Sequence, residues 1–127
     1  MAMYFNSTQY SVMIPSEVLI ALGKPAYIQL LTNVKERRVL IRPLSSNIEH
    51  SFDVPDLLYE GNVLAFPGSE LITGTKKALG WKDDYLYAAE CRLVQDTDEN
   101  TLILADLNTA KPSEPIDCPV VIPKRFD

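Results

Sequence analysis

The stretch Ser11–Leu31, SVMIPSEVLIALGKPAYIQLL, confines a helix to about two turns. Pro15 suits the start of a helix because its missing N–H has no partner there, and Glu17 favours the positive helix end. Gly23 can take the left-handed conformation that closes a helix, and Pro25 blocks any continuation. Isolated helices shorter than about 12 residues are marginal in water, so a helix this short must be held by a surface outside itself. Val18, Leu19 and Leu22 form one apolar stripe along it, which predicts that the surface is a sheet.

Sheet is what the flanking residues predict. YIQLLT and RRVLIRP surround the turn NVKE, and Val39 and Ile41 alternate with Arg38, Leu40 and Arg42, the pattern of a half-buried hairpin. The order strand, short helix, strand, turn, strand then recurs. Ala21-Leu22-Gly23 reappears as Ala78-Leu79-Gly80, followed by YLYAAECRLV, the polar turn QDTDEN and TLILADL, so that Leu40-Ile41 corresponds to Leu102-Ile103. Between the copies, residues 45–67 read as a connector with a small apolar anchor, in which NVLAFPG can add a strand. After Leu107 the tail carries four of the nine prolines, Pro112, Pro115, Pro119 and Pro123, and prefers an extended course. A run of three β-branched residues, Val120-Val121-Ile122, predicts that the tail docks on the core.

The residues Ile14-Pro15, Glu17, Leu22-Gly23 and Arg42-Pro43 carry a resemblance to the AbrB, SpoVT and MazE family. Its pattern runs strand, Ile-Pro, short helix with Glu, Leu-Gly, strand, turn, strand and Arg-Pro. Members are transcription regulators and antitoxins in which two chains swap hairpins to build one barrel-like dimer. The resemblance implies a mostly β fold with short helices, a swapped-hairpin barrel, and here an intrachain pseudo-dimer. Residues 1–127 then form one compact domain, with a first copy over 4–44, the connector over 45–67, a divergent second copy over 68–108 and the tail over 109–127. Leu22 and Leu79 should both be buried in the shared core. Either a monomer with a pseudo-dimeric core or a homodimer fits this arrangement.

Family members that grip DNA carry basic residues around the first strand and a basic pair before Leu-Gly. The first copy instead reads Ser11-Val12-Met13 and Ile20-Ala21, whereas the second reads Lys76-Lys77 before Ala78-Leu79-Gly80, with Lys82 beyond. Lys76, Lys77, Lys82, Arg37 and Arg38 are therefore the candidate DNA contacts. Against them stands a formal charge of −5, which repels a polyanion at long range. Two readings stay open: a DNA-binding regulator or antitoxin-type protein, and a non-enzymatic module that binds a protein partner through the core and the tail.

No sequence pattern points to catalysis, a metal or a cofactor. Asp96, Asp98 and Asn100 have the first spacings of a calcium loop, but Thr101 stands where its glycine should be and Leu107 where its glutamate should be. His50 is the only histidine, and Cys91 and Cys118 read as reduced thiols of a cytoplasmic protein. No apolar run reaches the roughly 18 residues of a membrane span.

Overall fold

The computed structural model describes residues 1–127. Strands β1 (Ala2–Asn6) and β2 (Ser11–Pro15) lead into helix α1 (Ser16–Ala21), and a hairpin of β3 (Tyr27–Asn33) and β4 (Arg38–Leu44) follows. Next come β5 (Ser51–Asp53), a 3-10 turn over Asp56–Glu60, β6 (Val63–Pro67) and helix α2 (Ser69–Leu79). A second hairpin, β7 (Leu86–Gln95) and β8 (Thr101–Asp106), precedes a tail with three short strands, β9 (Lys111–Ser113), β10 (Val120–Val121) and β11 (Arg125–Phe126). The fold is thus mostly β with two short helices. One curled sheet runs β10-β6-β2-β1-β7-β8-β4-β3-β5-β11, and β9 lies beside β7.

Both helices stop by the same device. Gly23 takes φ +86° and Gly80 φ +68°, the left-handed region that costs glycine nothing. Beyond each glycine the next N–H reaches back to the final turn, from Lys24 to the carbonyl of Leu19 at 2.9 Å and from Trp81 to that of Lys76 at 3.2 Å. Pro15 lies one residue ahead of α1 rather than inside it, with an extended ψ of 152°. It ends β2, opposite Val63.

The strands that precede the helices lie side by side, with Val12 opposite Phe66, Met13 opposite Ala65 and Ile14 opposite Leu64. The closing strands of the two hairpins do the same, with Leu40 opposite Leu104 and Ile41 opposite Ile103. The remaining pairings are reciprocal. β1 lies against β7, placing Phe5 opposite Tyr87, and β5 lies against β3, placing Phe52 opposite Ile28. Residues 45–67, read from sequence as a connector, therefore contribute two sheet strands as well as the expected apolar anchor, buried Val54 and Leu58.

All of this closes over one cluster of 20 buried residues. Ile14, Val18, Leu19 and Ile41 meet Leu64, Phe66, Ile72 and Ile103 in it. Leu22 and Leu79 are only half-buried and pack against its margin, because each sits where its helix ends, directly before an exposed glycine, rather than over the middle of the sheet. The tail docks as its β-branched run predicted, but only one residue of that run is buried. Val121 is 8% exposed, whereas Val120 and Ile122 remain 51% and 75% exposed. Alternation explains this, since neighbouring strand residues point to opposite faces.

Ile41 has no exposure and sits where the two hairpins join, so Ile41→Ala should remove about 2–5 kcal/mol of stability in urea unfolding. The transition should stay single, because both halves share the cluster. Two separate transitions would show halves that fold independently.

Candidate functional site

Lys76 and Lys77 end α2, where cations complement the negative helix terminus. They differ sharply in what they touch. The Lys76 ammonium lies 2.7 Å from Asp83 Oδ1, 2.9 Å from the Tyr10 hydroxyl and 4.2 Å from the centre of the Tyr10 ring, and its side chain is 11% exposed. The hydrogen bonds to Asp83 and Tyr10 raise its pKa above the ordinary lysine value. A raised folded pKa means that this contact stabilises the fold fully below the unfolded value and is lost as pH climbs past the folded one, far above neutrality. Lys77 and Lys82 are exposed, the latter with its ammonium 5.8 Å from the Tyr85 ring centre.

Lys76 is inward-facing because the loop after α2 is stapled to the β1–β2 turn. Trp81 stacks on Tyr87 at 4.3 Å with 8° between the planes, and Phe5 lies 5.9 Å away. Buried Ser7 places its hydroxyl 2.6 and 2.7 Å from the carbonyls of Lys82 and Tyr85, and the Thr8 hydroxyl donates to the Asp83 carbonyl at 2.9 Å. Asp83 is thereby held where Lys76 ends.

Arg37 and Arg38 belong to a different turn and to different partners. Arg37, at φ +58°, accepts at its carbonyl from Leu107 N–H, while its guanidinium donates to Asn108 Oδ1 at 3.5 Å and leaves a buried Nε without a partner. Arg38 pairs with Glu36 at 3.5 Å on the open surface. Lys76 and the two arginines are thus held by different partners.

A different surface emerges where the two helix-preceding strands meet. On the outward side, Ala88, Tyr4, Met13 and Ala65 lie opposite one another in a row across β7, β1, β2 and β6. Beside that row runs a groove of about 330 Å³, lined by Tyr10, Met13, Ala65, Pro67, Val120 and Ile122 among others, with no charged side chain in its wall. Sequence reading missed it. Its signal was the small or apolar outward position in each strand, which identifies a surface only once the strands are known to be neighbours.

The other residues singled out in the sequence lie elsewhere. Asp96 Oδ1 accepts from the backbone N–H of Asp98 and Asn100, both at 2.9 Å, and these bonds with the Asn100 side chain lower its pKa. Its carboxylate is spent on holding the β7–β8 turn. His50 is exposed, 3.5 Å from Glu49. Cys91 is buried, and desolvation pushes its thiol up to about 11.

The chain matches no protein-family model, no curated protein and no solved structure.

Two outcomes check this account. With a thiol reagent at pH 8, half-buried Cys118 should react first and Cys91 only on unfolding, because the thiolate is the nucleophile. Equal rates in the folded protein would contradict the burial of Cys91. Lys76→Ala should lower the thermal midpoint and Lys77→Ala should leave it unchanged; the reverse order would place the loop staple elsewhere.

Proposed function

We propose that the chain is a non-enzymatic protein-interaction module built on a swapped-hairpin core resembling the AbrB, SpoVT and MazE family, fused into an intrachain pseudo-dimer. The reciprocal pairing of β1 with β7 and of β5 with β3 supports the fusion, as do the two like-with-like pairs, β2 with β6 and β4 with β8. In such a core each half completes the other, in the manner of an isologous dimer. On this reading the first copy spans β1 to β4 and the second spans β5 to β8, so the second starts at Ser51 rather than at residue 68.

The observation that carries the function is the uncharged groove on the outward side of β2 and β6. In DNA-gripping members of the family the first strand of each copy is flanked by basic residues. Here those strands present Ser11 and Met13 on one side of the pseudo-axis and Ala65 and Pro67 on the other. A wall without cations gives nothing to a phosphate backbone, and contiguous apolar surface is characteristic of protein contacts. Lys76, at the position of the family's basic pair, is engaged by Asp83 and Tyr10.

The exposure of Lys77 and Lys82 favours a second reading, a DNA-binding regulator or antitoxin-type protein that touches phosphate at the end of α2. One pair of assays separates the two. In affinity capture from the source organism, a specific partner should be retained by wild type and by Lys77→Ala with Lys82→Ala, and lost by Met13→Asp. A gel shift should show no duplex binding even at low salt. Duplex binding that weakens in the double lysine variant, with no partner lost by Met13→Asp, would decide for the regulator.

A further inference from the structure

The sheet has a seam, and the C-terminal segment is what crosses it. β1 and β2 pair directly, with Tyr4 opposite Met13. β5 and β6, which hold the corresponding places ahead of the second helix, do not pair and lie towards opposite ends of the strand order. Into that gap comes the tail. β10 adds to β6 in parallel, Val120 opposite Val63 and Val121 opposite Leu64, and β11 adds to β5 antiparallel, Arg125 opposite Phe52 and Phe126 opposite Ser51. Only Ile122, Pro123 and Lys124 separate these two strands.

The seam is built to receive such a segment. On its floor the rings of Phe52 and Phe66 meet at 4.5 Å, and Phe126 packs edge-on against Tyr27 at 5.8 Å. Along its sides, Val63 N–H donates to the Pro119 carbonyl and Asp53 N–H to that of Lys124, both at 3.0 Å, while Lys124 N–H donates to Asp53 Oδ1 at 2.6 Å. Without the segment, two strand edges would stand unpaired beside an apolar floor, the arrangement that invites another chain. Yet each strand pairing spans only two residues, and between β9, which lies on β7, and β10 the chain forms no strand over residues 114–119, where Pro115 and Pro119 favour the extended course a hinge can follow.

We propose that the seam between β5 and β6 accepts residues 118–127 of a second copy as readily as its own, so that two copies dimerise by exchanging tails. The occupant follows from the seam itself, since the only sequence shown to satisfy both edges and the floor is this one, and every copy carries it. Exchange of an identical element needs no new interface. Val120 and Ile122 of the exchanged segment also line the outer groove, but a second copy supplies the same two side chains there, so exchange leaves the wall of the groove unaltered and is tested apart from the partner reading.

The test uses the unaltered full chain, unfolded and refolded under reducing conditions at roughly 1 mM, where a second copy competes with a tethered segment, and again at about a hundredfold dilution. Light scattering after gel filtration should find a dimer from the concentrated sample and monomer from the dilute one. A fluorescent peptide of residues 118–127 present during refolding should co-elute with the monomer and suppress the dimer, and the same peptide with Val121→Asp should do neither. Monomer at both concentrations overturns the exchange, even if peptide is captured. A dimer that captures no peptide, or capture of both peptides alike, overturns the seam as its site.

Discussion

Everything in this fold depends on strands that cannot be satisfied by their own neighbours in sequence. A six-residue helix and a single hairpin bury too little to stand alone, and a lone hairpin is marginal in water. The contact that resolves this is the meeting of β4 with β8, where Ile41 and Ile103 lie opposite each other with neither exposed. Hairpin joins hairpin there, and a four-stranded platform results. The platform gives α1 and α2 a surface, and it lets β1 and β5 each cross to the opposite hairpin. Remove the platform and no remaining piece has a second face to bury.

The same economy explains where the charges went. A lysine at the end of a helix already gains from the helix dipole, and Lys76 gains further from a carboxylate and a tyrosine held nearby. The Trp81–Tyr87 stack and the Ser7 hydroxyl hold that loop to the β1–β2 turn. A basic pair that in sequence resembles a nucleic-acid grip is thereby divided: Lys76 becomes part of the loop's anchorage, and Lys77 alone remains free at the surface. Meanwhile the groove on the outward sides of β2 and β6 has no charged side chain in its wall.

The two ends of the sheet are built differently. On one side β1 and β2 form an ordinary hairpin. On the other, the 3-10 turn separates β5 from β6, with Leu58 buried beneath it, and the tail fills the space. Prolines suit such an edge because they lack the donor that would extend the sheet further. The tail is thus not a passive extension but a piece of the sheet attached at its margin.

Local physics made much of this legible. The two hairpins followed from alternation, the short helices from Pro15, Gly23 and Gly80, the recurrence of the unit from Leu22-Gly23 and Leu79-Gly80, and the mostly β class from all of these together. Each depends on residues within a few positions of one another, where φ preferences and side-chain alternation act directly. What the tertiary structure alone decided depends on residues far apart in the chain. The joining of Tyr10, Lys76 and Asp83, the row from Ala88 to Ala65, the meeting of Arg37 with Asn108, and the use of Val121 rather than all three β-branched residues all depend on which strands become neighbours. Alternation assigns a residue to a face but does not say which face will meet it. That choice is made by the shared core, which forms only when residues from both halves close over it.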